Sequence, residues 1–290
     1  MLIRIFEIVA PILFVVLVGF FYARKRRPNL DHANSLNIDV FVPFLILAVF
    51  TGQSIDVAQY KTLMLVVAGL TLVPGLLAIP VCRLLNVHWK TLLPPMMFKN
   101  SGNLGIPLLL LAFGEDALPA ILMMFIVENT LHFSVGLWML STGARNLKFL
   151  LQPMMMATIL GLSLSMAEIT LPEWLVTGFE LLGDIAVPLM LFALGVRMTD
   201  LDFHGWRLGV FGALLAPALG LLAAWPILSW LSLPPDQEKM AWIFAALPPA
   251  VLNYLVAERY RQEPDKVASI VMFANAGAVV IIPLILFWVL

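Results

Sequence analysis

The chain is poor in charge. Only 12% of its 290 residues are Asp, Glu, Lys or Arg, where a soluble domain carries about 25%. A formal net charge of −1 leaves no basic excess and excludes nucleic acid as a partner class. The single cysteine, Cys82, excludes an internal disulfide. No His-Glu-x-x-His pair for zinc and no Gly-x-Ser-x-Gly turn for a serine nucleophile occurs, and the one catalytic-looking spacing is Glu128 with His132. An enzyme is therefore not expected, and no cofactor or metal is called for. A cleavable signal peptide is not expected either. Only Arg4 precedes the first apolar run, Glu7 follows it, and the run reaches Tyr22 without a small-residue cleavage site.

Hydrophobicity is what the chain has in abundance, with 61% hydrophobic residues and a mean hydropathy of +0.97. A bilayer needs about 20 consecutive apolar residues per helix. Ten such runs are present, at 5–22, 36–54, 62–82, 91–113, 117–140, 149–167, 181–198, 206–231, 240–257 and 267–290. The expected fold class is an all-α polytopic membrane protein of ten transmembrane helices, with the lipid bilayer as its principal partner.

Loops after odd-numbered runs hold Arg24, Lys25, Arg26, Arg27, Arg83, Lys90, Arg145, Lys148, Arg197, Arg207, Arg259, Arg261 and Lys266. The opposite side holds Arg4, Lys61 and Lys239. Basic loops stay cytoplasmic, so both termini are expected on the non-cytoplasmic side. Trp206, Trp225, Trp230 and Trp242 read as interface anchors, Gln53 and Ser54 as interfacial, and the Met96-Met97 and Met154-Met155-Met156 clusters as adaptable packing.

The two halves echo each other. Asp39-Val40-Phe41-Val42-Pro43 in run two matches Asp184-Ile185-Ala186-Val187-Pro188 in run seven. Ala120-Ile121-Leu122-Met123-Met124-Phe125 matches Ala268-Ser269-Ile270-Val271-Met272-Phe273 in the same order. The reading is two five-helix repeats, 1–145 and 146–290. Because five is odd, the halves must be inverted in the membrane.

One stretch stands apart from the apolar pattern: Lys99-Asn100-Ser101-Gly102-Asn103-Leu104-Gly105-Ile106-Pro107 inside run four. Gly102, Gly105 and Pro107 are expected to break the helix there. Broken backbone at membrane depth is tolerated only where protein covers it or water lines it. A lysine at that depth costs about 2.5–3.5 kcal/mol even on the lenient insertion scale, which marks Lys99 as functional. The corresponding zone of run nine is Leu247-Pro248-Pro249 through Asn253-Tyr254 and Leu255. Paired broken helices in inverted repeats point to a secondary transporter with a midplane site. Half-helix N-termini and Lys99 favour an anion, expected to be a carboxylate held by Lys99, Asn100, Asn103 and backbone amides.

Other polar residues carry two readings each. Asp39 and Asp184 serve as proton carriers or as acidic helix starts. Glu128 and His132, four apart on one helix face, form a proton relay or a mutually satisfied pair with Lys99 answering Glu128. Asn129 and Asn275 lie at comparable depth and are candidates for the same ion-coupling role.

The motif Asn100-Ser101-Gly102-Asn103-Leu104-Gly105-Ile106-Pro107, supported by Leu247-Pro248-Pro249-Ala250, Asn253-Tyr254 and Ala268-Ser269, resembles the auxin efflux carrier family. The likeness spans the whole chain and is to the compact bacterial type, which lacks a long central loop. It implies the fold shared with bile acid/sodium symporters, in which helices four and nine cross at their breaks. It implies a scaffold of helices one, two, six and seven, and a transport domain of helices three to five and eight to ten moving as an elevator. A homodimer and a bacterial inner-membrane location are further implications. Substrate-contacting positions carried over are Ser101, Gly102, Gly105, Pro107, Pro248, Pro249, Asn253 and Tyr254 beside Lys99, Asn100 and Asn103. Bacterial members are linked to malate, malonate and related acids. The alternative is a sodium-coupled symporter of larger amphipathic acids, and the coupling ion, proton or sodium, stays open.

Overall fold

The computed structural model describes residues 1–52, 57–140, 151–200 and 205–290. Among them the secondary structure is helical, and the only β-like feature is an isolated antiparallel bridge between Lys99 and Pro249. In chain order the helices are α1 Leu2–Arg26, α2 Asp31–Leu36, α3 Val42–Gly52, α4 Lys61–Leu85, α5 Trp89–Met97, α6 Ile106–Phe113, α7 Leu118–Leu131, α8 Leu137–Leu140, α9 Pro153–Met166, α10 Glu173–Gly183, α11 Ala186–Arg197, α12 Trp206–Trp230, α13 Pro235–Ala246, α14 Leu252–Arg259 and α15 Pro264–Val289.

Among the described residues seven continuous helical stretches are long and apolar enough to cross a membrane: Leu2–Arg26, Asp31–Gly52, Ala58–Leu85, Glu115–Leu140, Glu173–Arg197, Trp206–Trp230 and Pro264–Val289. They coincide with seven of the ten apolar runs. The sixth run is represented by the shorter helix α9, and runs four and nine are interrupted. Large apolar side chains face outward, Trp230 being 89% exposed, as expected of a surface solvated by lipid rather than water. Gln53 and Ser54, and the boundary between residues 145 and 146, lie outside the described residues.

Close backbone approach ties α1 to α11. A Cβ on Gly195 would collide with the carbonyl oxygen of Val16, and one on Gly19 with that of Phe192. Lipid offers no hydrophobic drive between helices, so small residues that let backbones touch carry the association. Gly220 of α12 sits against the Ala245 carbonyl of α13 in the same way. Around these contacts α3 packs on α9 and α10, while α12 packs on α4, α13 and α15.

Run four breaks upstream of where its glycines and proline suggest. α5 ends at Met97, Phe98 is extended (φ −95, ψ 110), and helix resumes at Ser101. Gly102 and Gly105 lie inside a π-helical turn, Ser101–Gly105, and Pro107 sits in the first turn of α6, where a missing N–H costs nothing. The break is set instead by pairing with the second interrupted segment. Asn100 N–H donates to Pro248 O at 2.7 Å, and Ala250 N–H donates to Phe98 O at 2.9 Å. Two irregular stretches thus satisfy one another's backbone, the condition for non-helical chain in a bilayer.

Candidate functional site

Lys99 is 1% exposed. Its ammonium donates to the Ala216 carbonyl in α12 at 3.1 Å, next to Pro217. Asn100 donates from Nδ2 to Asn275 Oδ1 at 2.7 Å, and its carbonyl accepts from Gly105 N–H at 2.9 Å. Asn275 in turn donates to the carbonyls of Pro249 and Val271, both at 2.9 Å. Asn253 Nδ2 donates to Phe98 O and Ala250 O, each at 2.9 Å, while its Oδ1 is buried without a hydrogen-bond partner among the described residues. Three asparagines therefore lock the two breaks to each other and to α15.

Glu128, 2% exposed, stands beside this crossing. Ser101 Oγ donates to its Oε2 at 2.6 Å, and His132 Nδ1 is 3.9 Å from its Oε1, which has no hydrogen-bond partner among the described residues. The His132 ring stacks on Phe98 with centroids 4.2 Å apart and planes 7° from parallel. Glu128 and His132 share a helix face as the spacing predicts, and Lys99 lies close enough for the two opposite charges to interact. Asn129 Nδ2 is 3.0 Å from Met154 Sδ.

These groups border a cavity of about 140 Å³. Its lining includes Lys99, Asn100, Ser101, Gly102 and Asn103 from the first break. Glu128, Asn129 and His132 join them, with Ala250 and Val251 from the second break. Three π-helical turns contribute to the wall: Asn37–Phe41, Ser101–Gly105 and His132–Gly136. A π turn widens a helix by one residue and re-aims side chains, and such turns gather at functional sites.

Several expected site residues stand elsewhere. Pro248 and Pro249 act through backbone carbonyls at the crossing, and Gly105 and Pro107 are buried behind it. None of the four lines the cavity. Asn275 borders a separate apolar void of about 40 Å³. Tyr254 donates to Glu258 Oε1 at 3.1 Å and faces a different surface cleft. Asp39 and Asp184 are exposed, away from the lining. Asp39 lies in the first π turn, inside the continuous helical stretch Asp31–Gly52, and Asp184 follows the C-terminal end of α10, so neither acid starts a helix as the second reading had it.

Two lining residues escaped the sequence reading. Arg197 ends α11 and borders the cavity, whereas it counted there only as a basic loop residue. Asn37, 5% exposed, also borders it, with its Oδ1 lacking a hydrogen-bond partner among the described residues. The spacing of Asn34 and Asn37, three apart and therefore on one helix face, was the available signal.

The family model described as "Membrane transport protein" matches the chain over residues 4–148 and again over 139–286. A protein of Rhizobium meliloti (strain 1021) named "Putative malonate transporter" is 24% identical over 198 residues. That match covers 61% of this chain and 60% of the relative.

Proposed function

This chain belongs to the membrane transport protein family, the auxin efflux carrier type that its fourth run resembles, and we propose that it is a secondary active transporter of small organic anions such as malonate and malate. It is an integral membrane protein by family and by its apolar helices. The observation that carries the substrate class is a small cavity built on two mutually paired helix breaks, with the buried side chains Lys99, Asn100 and Ser101 in its otherwise largely apolar wall. Drug-sized ligands occupy pockets of roughly 300–1,000 Å³, so about 140 Å³ suits an anion of a few carbons better than a larger amphipathic acid.

In this reading Lys99, Asn100, Ser101 and Asn103 receive a carboxylate, and the Ser101–Gly105 turn presents backbone N–H groups toward it. Glu128 is the coupling group, with His132 as its neighbour. A carboxylate that gains and loses a proton beside a fixed cation changes the charge of the cavity by one unit without moving a helix. The ten spans divide into two inverted halves, 1–145 and 146–290. Helices of runs one, two, six and seven form the scaffold, and the rest form an elevator that carries the crossing. The division is supported by the backbone contact of α1 with α11, by the packing of α3 on α9 and α10, and by the clustering of α4, α12, α13 and α15 around the breaks. The cavity is bordered by the ends of spans next to basic loops, so the site is open toward the cytoplasm of a bacterial inner membrane, with both termini outside.

The test is uptake of labelled malonate and malate into proteoliposomes under separately imposed proton and sodium gradients. Saturable uptake driven by the proton gradient supports the proposal. Uptake driven by sodium alone removes Glu128 from coupling. Absence of uptake of either acid by folded protein overturns the substrate class.

A further inference from the structure

We propose that the protein binds an anionic phospholipid at the junction of α4, α5 and α15, with the lipid phosphate on Arg83 and an acyl chain on the outer face of α4. The site is separate from the cavity at the crossing and does not depend on the transport reading.

A cleft of about 660 Å³ lies where α4 ends, α5 begins and the chain turns into α15. Its lining includes Ile79, Arg83, His88, Trp89, Glu263 and Lys266. Glu263 is the one acid among the described lining residues, and it is already engaged, since Lys266 and Thr91 both donate to its carboxylate. Among the described residues no hydrogen bond or ion pair holds the Arg83 guanidinium. A guanidinium fork matches two phosphate oxygens with parallel hydrogen bonds. Lys90 places a further cation at the rim, its ammonium 5.6 Å from the centroid of the Trp89 ring.

Apolar surface continues directly from this basic end. Leu76, Ile79 and Arg83 are spaced three and four apart on α4 and share one helix face. Leu76 and Ile79 are exposed, and seven residues of helix put Leu76 about 10 Å along the axis from Arg83. Trp89, also exposed, stands at the rim as an interface anchor. A soluble anion would use the guanidinium and leave the apolar track uncovered. A phospholipid uses both. Basic pockets between membrane helices attract anionic headgroups. A zwitterionic headgroup brings an amine toward Lys90 and Lys266, so a headgroup of net negative charge is the better match.

The hydrogen bond from Thr91 to Glu263 joins the two halves of the chain here. α5 leads into the break at Phe98, and α14, just before the turn, follows the break at Pro248 to Ala250. A headgroup reaching from Arg83 to Lys266 braces the outer ends of both interrupted segments, and its binding reads out as added stability.

The experiment is thermal unfolding of the purified full chain in neutral detergent, titrated with phosphatidylglycerol, phosphatidylcholine or glycerol 3-phosphate. Phosphatidylglycerol is expected to raise the melting temperature saturably, with little shift from the other two. Arg83→Gln is expected to raise the half-saturating phosphatidylglycerol about fivefold or more. Lys90→Gln, which leaves Arg83 and the Glu263 contacts in place, raises it by less and keeps the idea testable should Arg83→Gln fail to fold. Arg26→Gln, in the last turn of α1 and outside the cleft lining, is expected to change it by less than about twofold. Equal stabilisation by phosphatidylcholine overturns the anionic preference. Equal stabilisation by glycerol 3-phosphate makes the cleft a site for a soluble anion and overturns the lipid. No stabilisation of wild type, or equal losses in Arg26→Gln and Arg83→Gln, overturns the site itself. Malonate uptake plays no part in the readout, so the transport reading stands or falls on its own test.

Discussion

Phe98 and Asn253, from opposite halves of the chain, meet at one carbonyl oxygen: Phe98 O accepts from Asn253 Nδ2 at 2.9 Å and from Ala250 N–H at 2.9 Å. That carbonyl belongs to the residue at which run four leaves the helix. The second half of the chain thereby supplies the donors that a broken membrane helix lacks.

Asn253→Ala removes one of those donors and leaves Phe98 O with the Ala250 N–H alone. Because Phe98 O keeps one donor, the loss is that of a single net hydrogen bond, about 0.5–1.5 kcal/mol. The expected outcome is a lower melting temperature in detergent and reduced uptake, with the purified protein still eluting as a single species. Uptake and melting temperature at wild-type values would show that the crossing tolerates the loss.

Lys99→Ala is expected to abolish malonate uptake and to destabilise the protein, because the buried Glu128 carboxylate loses its compensating cation. The double variant Lys99→Ala with Glu128→Gln is expected to regain much of that stability without regaining uptake. A double-mutant cycle on melting free energies checks this, with a coupling of about 0.5–3 kcal/mol expected for interacting residues. Strict additivity would separate the two residues energetically.

Glu128→Gln alone keeps the Ser101 contact but cannot take up or release a proton. The expected outcome is malonate exchange that persists while accumulation driven by a proton gradient is lost. Counterflow measured beside gradient-driven uptake separates the two. Accumulation at the wild-type rate would move proton coupling to another residue.

Gly195→Val places a side chain where the Val16 carbonyl oxygen stands. Overpacking typically costs 1–3 kcal/mol, and a backbone obstacle that cannot rotate away puts this site at about the upper end. Gly178→Ala is the control, since nothing lies within 4 Å of the position a Cβ would take there. The first is expected to lower the melting temperature by several degrees, and the second to leave it unchanged or raise it slightly.

Glu263, just before α15, accepts hydrogen bonds from Lys266 and Thr91, and these hold its carboxyl below the ordinary carboxylate range. A lowered native value means the folded state binds the proton less readily than the unfolded chain. The contribution to stability is therefore present above the unfolded value and is lost as pH falls through the native one. Glu263→Gln is expected to flatten the acid side of the melting-temperature profile and to leave the neutral region slightly lower. Superimposable profiles would remove Glu263 from the acid transition.

Membrane class, the positions of the long spans and the interruption of runs four and nine were legible in the sequence, because each follows from local composition. Twenty apolar residues read as a span wherever they fall, and a lysine among them reads as a functional exception. The helix face shared by Glu128 and His132 was legible for the same reason, since helical periodicity is local. Where run four breaks was not. Gly102, Gly105 and Pro107 are weak helix formers, yet they sit inside the resumed helix, and the chain leaves helical geometry at Phe98–Asn100 because Pro248 and Ala250 are there to pair with it. Arg197 and Asn37 were invisible as site residues because a basic residue at a span end and an asparagine near a helix start have ordinary local readings. Only the packing of α11 and of the π turn Asn37–Phe41 around one cavity brings them to Lys99. Local hydropathy thus determined that this chain lives in a membrane, and long-range backbone pairing decided what faces its cavity, since a hydrogen bond between two breaks depends on both halves at once.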